Sequence, residues 1–210
     1  MSARLLATFC LVLGRGSALA ESDLVVYLKT GANQPPAPIA SMKRELGDIM
    51  QTAGYRVQWG GESNSPFLVV VQLNGTCSLP AGYAGLAATP PPPSALASTN
   101  VTDGRVLPFS VVNCAAVTQS LASLLSSGAA AQRDFYYGRA LGRVIAHELY
   151  HILMGTTAHT RDGVSRSCFS TADLVAEHFE FEGAVLSEMR RRPQTVTSTA
   201  AAGSEEASGR

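Results

Sequence analysis

Apolar and polar positions alternate along this chain with two different periods, and together they mark out an α+β order of elements. Asp23-Leu24-Val25-Val26-Tyr27-Leu28 reads as a strand that ends at Thr30-Gly31. After the prolines at 35, 36 and 38, Ile39, Met42, Leu46, Ile49 and Met50 recur at three- and four-residue spacing, which predicts an amphipathic helix closed by Gly54. Tyr55 to Trp59 is a second strand, and Phe67 to Leu73 a third, apolar enough to be central. A strand, a helix and a strand in that order imply a right-handed crossover with parallel pairing. Ser78 to Arg105 is rich in Gly, Ala, Pro and Ser, includes Pro90 to Pro93, and reads as a long loop. The turn Asp103-Gly104 leads into a fourth strand, Val106 to Val112. Pro108 within it predicts an edge position, because proline cannot donate to a ladder, and an edge could add an extended peptide to the sheet.

The second half turns helical. Val117, Leu121, Leu124 and Leu125 suggest a short helix ending near Gly128. A long one follows from Ala130 to Met154, with Phe135, Ala140, Leu141, Val144, Ile145 and Leu149 on its apolar side and Gly155 as its stop. Thr160 to Phe169 is polar and loop-like. Thr171-Ala172-Asp173 then begins a last helix through Leu174, Phe179, Ala184 and Leu186 to about Arg191, with Asp173 favourably placed at its N-terminus. The segment 193–210 has nothing to bury and is expected to be disordered.

The first residues belong to a different pattern. Arg4, the apolar run Leu5 to Leu13 and the Ala18-Leu19-Ala20 site describe a signal peptide spanning 1–20. Secretion or export to the periplasm is the expectation. Its apolar core is too short for a stable membrane anchor. Cleavage takes Arg4 and Arg15 from the 16 basic residues and none of the 16 acidic ones, so the mature chain is weakly acidic. No basic patch is visible, which argues against nucleic acid as a partner. No later apolar stretch suits a membrane span, and a monomer without membrane attachment is expected. Export also bears on the cysteines, since oxidising compartments favour disulfides. Cys77 and Cys114 each follow a strand-like run and are the natural pair. Cys168 is left over.

Candidate chemistry is concentrated in one window. His147-Glu148-Leu149-Tyr150-His151, with His159 beyond it, holds three of the four histidines. On a helix, positions i and i+4 share a face, so His147 and His151 can offer two ring nitrogens to one metal ion. Glu148, about 100° round the helix, can hydrogen-bond a water beside that ion without being a ligand. This is the set that metal-assisted hydrolysis needs. A core helix with hydrogen-bonded histidines is the alternative. Against it, a glutamate is seldom buried without a partner, and this one stands among Ile145, Leu149, Ile152 and Leu153. A stop at Gly155 would let His159 swing back toward the same ion. Tyr136, Tyr137 and Tyr150 are candidate oxyanion donors, with packing as the competing use of each.

The order of elements, together with H-E-L-Y-H-I-L-M-G-T-T-A-H over 147–159, resembles the zincin metallopeptidases, and among them the metzincins. The metzincin pattern H-E-x-x-H-x-x-G-x-x-H is one residue shorter before the glycine and one shorter before the third histidine. The resemblance implies a zincin-like α+β domain over 21–192: a twisted mixed sheet of about four strands with a helix packed on it and the active-site helix (21–154), then a small helical C-terminal lobe (155–192). It implies one catalytic zinc on His147, His151 and His159, Glu148 as general base, and a peptide or protein substrate. Metzincins also carry a methionine turn after the third histidine; here the later methionine is Met189, in the last predicted helix. Gluzincins, the other large zincin group, take their third ligand from a glutamate on a following helix, which makes Glu177 the alternative to His159. An exported zinc metalloendopeptidase is the expected function. A catalytically weak or inactive relative, acting as a metal-binding or protein-binding module, is the alternative.

Overall fold

Branched apolar residues in short runs build the sheet. The computed structural model, which describes residues 22–31, 33–60, 67–79, 95–125 and 128–192, contains β1 (Ser22–Thr30), β2 (Tyr55–Trp59), β3 (Leu68–Asn74), β4 (Ala97–Thr102) and β5 (Arg105–Asn113). The expected signal peptide, the 193–210 tail and the proline run at 90–93 lie outside the described residues. Spatial order is β2-β1-β3-β5-β4, with β1 parallel to β2 and β3, β3 parallel to β5, and β4 antiparallel to β5. Helix α1 (Pro36–Thr52) makes the crossover from β1 to β2. Proline at its start costs no hydrogen bond, because the first-turn N–H groups have no helical partner. Met42, Leu46, Ile49 and Met50 from α1 share one core with Leu24, Val26, Val69, Val71 and Leu73 from the sheet.

The sheet and α1 together position helix α3 (Ala130–Met154), whose bounds are those its periodicity predicts. Two glycines four residues apart set how close it comes to α1. A Cβ at Gly138 would fall 2.4 Å from both the Pro38 carbonyl oxygen and Ser41 Cβ, and one at Gly142 would fall 2.8 Å from Glu45 Cβ. Only hydrogen fits at Gly138, so α1 and α3 meet backbone to backbone on that face. Helix α2 (Cys114–Leu125) leads into α3 and is tied to it by Tyr137, which is fully buried and donates to the Cys114 carbonyl. The disulfide expected between Cys77 and Cys114 is present, with Cα atoms 4.8 Å apart, and Cys168 is free and exposed. Among the described residues, no helix is long and apolar enough to cross a membrane.

Three sequence expectations are corrected. Val106 to Val112 is not the edge of the sheet, because β5 lies between β3 and β4. Pro108 is tolerated there since it falls outside both regular ladders: pairing with β3 begins at Phe109, and the register with β4 shifts between Thr99 and Val101, just where Pro108 lies. The edge on that side is β4, a fifth strand drawn from the stretch whose composition reads as loop. Finally, the last predicted helix is two: α4 (Thr171–Val175) and α5 (Gly183–Arg191), parted by residues 176–182. Ser170 and Asp173 form a capping box at the start of α4. At its other end, Arg139 donates to the Val175 and Ala176 carbonyls and Arg143 to those of Asp173 and Ala176. Carbonyls satisfied by guanidinium groups from α3 need no further helical turn.

Candidate metal centre

The last two turns of α3 carry His147, Glu148 and His151, all with 9% or less of their surface exposed. Gly155 ends the helix in the left-handed region (φ 57°, ψ 36°). The chain then doubles back, with the Thr156 N–H bonded to the His151 carbonyl. This return brings His159 beside the pair. Ligand atoms of His147, His151 and His159 all lie within 4.8 Å of one another. The His159 ring is stacked on that of His147 at 5.2 Å and set edge-on to that of His151 at 4.8 Å. The two extra residues in the connection therefore do not prevent the third histidine from arriving.

Hydrogen bonds decide the tautomers. His147 Nδ1 lies 2.8 Å from the Val164 carbonyl oxygen, and His151 Nδ1 lies 2.8 Å from that of Thr156. A carbonyl oxygen can only accept, so both Nδ1 atoms carry hydrogen and both Nε2 atoms are bare lone pairs in the neutral rings. Those two Nε2 atoms face each other at 3.0 Å. Two lone pairs at that separation repel, and a cation between them turns the repulsion into coordination. Carbonyls behind the distal nitrogens are also the usual support of metal-binding imidazoles. The donor set thus fits a metal that accepts nitrogen ligands.

Burial holds His147 well below the usual imidazole range, at about 4, against the Val164 hydrogen bond and with smaller downward pushes from His151 and His159. His151 is lowered chiefly for the same reason. In the unfolded chain both rings take protons below about pH 6.5. The contribution of these two rings to the stability of the metal-free protein is therefore level above about pH 6.5 and is lost as pH drops from there toward 4. Between pH 7 and pH 5 the His147 contribution is about 2 kcal/mol, at 1.36 kcal/mol per unit. Glu148 acts in the opposite sense, since burial raises its carboxyl group. Urea denaturation of metal-free protein at the two pH values should show a loss that shrinks in His147→Gln; equal losses would contradict it.

Glu148 does not point into an empty cleft. Its Oε2 accepts a hydrogen bond of 2.6 Å from the Thr99 hydroxyl on β4. The edge strand thus forms one wall of a cleft of about 240 Å³, which is lined also by Val101, Val106, Thr157 and the three histidines. Phe169 packs against the triad, its ring edge-on to His147 at 5.3 Å.

Thr99, Thr156, Val164 and Phe169 were not singled out from the sequence. For Thr99 a signal existed, since Ala97-Ser98-Thr99-Asn100-Val101-Thr102 can be read as a short edge strand. The others depend on a chain reversal that no local pattern encodes. Glu177 is exposed, sits between α4 and α5 rather than on a helix, and is outside the histidine group. His178 is also exposed. None of the three tyrosines lines the cleft. Tyr137 is a core residue whose hydroxyl burial pushes up to about 12, Tyr136 packs edge-on to Phe135, and Tyr150 donates to the Ala158 carbonyl. Met189 is fully buried in α5, so no methionine turn follows His159. In comparisons with known proteins, the chain matches no protein-family model and no curated protein.

Proposed function

We propose that this chain is an exported, zinc-dependent metallopeptidase of zincin-like, metzincin-like type. The observation that carries the reading is the convergence of three imidazoles with a buried carboxylate in one cleft, two of the imidazoles presenting bare nitrogens to each other at 3.0 Å. Export is supported by the Cys77–Cys114 disulfide.

His147, His151 and His159 would hold the ion. Zinc, once bound, would supply Lewis acidity, which makes water a better nucleophile at neutral pH and draws charge from a substrate carbonyl. Thr99 engages one oxygen of Glu148, so Oε1 is the atom that takes the proton from the attacking water. The same oxygen then delivers it to the leaving amine. Burial, which raises the Glu148 carboxyl group, suits it to carry a proton between those two steps. An extended substrate would pair with the outer edge of β4, the strand that borders the cleft, in place of the Val106–Val112 strand expected from the sequence.

Elemental analysis of purified protein should find about one zinc per chain, lost in His159→Ala and kept in Glu177→Ala. The metal-loaded protein should cleave members of a mixed peptide library, and a chelator should stop it. Zinc without cleavage would leave a metal-binding module; no metal after reconstitution would remove the enzyme reading.

A further inference from the structure

His159 is the exposed member of the triad, and it sits on a connection rather than on the helix. Each backbone residue left free to wander costs about 1–2 kcal/mol to order, so a third ligand on a lengthened loop needs an anchor. The loop has one next to the histidine. Tyr150, on the active-site helix, donates its hydroxyl hydrogen to the Ala158 carbonyl at 3.1 Å. That carbonyl belongs to the peptide plane joining Ala158 to His159, so the bond fixes the plane from which the imidazole hangs. The donor is itself immobilised: Tyr150 is 5% exposed, with its ring 5.2 Å from that of His151 and 6.2 Å from that of Phe181. A second bond, from the Ala158 N–H to the Thr156 hydroxyl, holds the same residue from the other side. Beyond His159, Thr160 is tied to Ser165 through both backbone and hydroxyl.

We infer that Tyr150 is a positioning residue for the third metal ligand, acting through the Ala158–His159 peptide plane and not by touching substrate. The inference rests on the metal centre proposed above, but not on peptidase activity. It assigns the tyrosine inside the H-E-L-Y-H motif a purpose that its place in the motif does not reveal, and it accounts for how a connection two residues longer than the metzincin pattern can still present a ligand.

The test uses cobalt(II) as the probe, because its visible absorption reports the number and geometry of ligands. Tyr150→Phe keeps the ring and its packing and deletes only the hydroxyl. Cobalt affinity should fall by about 10- to 100-fold, the usual effect of removing a group that orients a ligand. The visible band should move toward that of His159→Ala. In a His159→Ala background the same substitution should change affinity by less than about twofold, since the ligand it orients is gone. Unchanged affinity and spectrum would overturn the inference, as would an equal loss in both backgrounds. A matching loss in the thermal stability of the metal-free protein would also overturn it, by giving the hydroxyl to the fold. Wild-type protein that takes up neither cobalt nor zinc would remove the metal centre itself, whereas wild-type uptake with an unaffected variant removes the tether alone.

Discussion

On the metallopeptidase reading proposed above, Glu148→Gln is expected to leave the metal bound and to slow peptide hydrolysis by about 10³-fold, within the range for removal of a general base. Three features make this outcome specific. Glu148 is outside the three-histidine group, so an amide in its place subtracts no ligand. The amide oxygen can still accept from Thr99, so the wall made by β4 keeps its contact with α3. What disappears is a group able to take a proton from water, and a thousandfold loss corresponds to about 4 kcal/mol of transition-state stabilisation. The readout is turnover of a cleaved peptide at saturating substrate, beside zinc content by elemental analysis. Turnover near that of the wild type with zinc retained would mean that another group supplies the base.

Arg143→Met is expected to destabilise the folded protein by about 3–5 kcal/mol, the usual cost of breaking a buried ion pair from one side. Arg143 is the largest fully buried side chain among the described residues, one turn before His147 on α3. Its Nε bonds Glu45 of α1 at 2.7 Å, and its other nitrogens bond the Asp173 and Ala176 carbonyls at the end of α4. A methionine fills much of the volume but takes the guanidinium donor from the Asp173 carbonyl and leaves the Glu45 carboxylate and the Ala176 carbonyl to Arg139 alone. The loss should also reach the metal. Arg143 lies over the Phe179 ring at 4.9 Å, Phe179 meets Phe169 at 5.2 Å, and Phe169 meets His147 at 5.3 Å. Urea denaturation with and without zinc checks both parts. A loss below about 1 kcal/mol would place Arg143 among ordinary surface pairs.

How much of this could be read in the residues depends on how local each signal is. The bounds of α3, the turn at Gly155 and the strands β1, β2 and β3 follow from periodicity and from residues a few positions apart. The pairing of His147 with His151 is local too, being one helical turn. His159 was accessible because a glycine stop just before a histidine implies a chain that returns. Beyond that range the pattern gives less. Residues Ala97–Thr102 resemble loop because an edge strand buries little and so needs few apolar positions. The two C-terminal helices look like one because apolar residues recur through Leu174, Phe179, Ala184 and Leu186 with no proline between them to mark the break at 176–182. What makes the break is Arg139 and Arg143, more than thirty residues earlier, which satisfy the last carbonyls of α4. The contact between Thr99 and Glu148 is likewise a product of the assembled sheet, spanning a sequence separation of 49.

The sulfur bridge between Cys77 and Cys114 has a bearing on how the protein would endure its own surroundings. It closes the stretch from the end of β3 to the start of α2 into a covalent ring, and that ring includes β4 and β5, hence the wall that holds Glu148. A backbone cut anywhere inside the ring leaves one molecule, not two, because the bridge still joins the two pieces. Nicked and intact protein would migrate alike until a reductant is added, when the fragments part. A single cut in such a loop cannot by itself carry away the strand against which Glu148 rests.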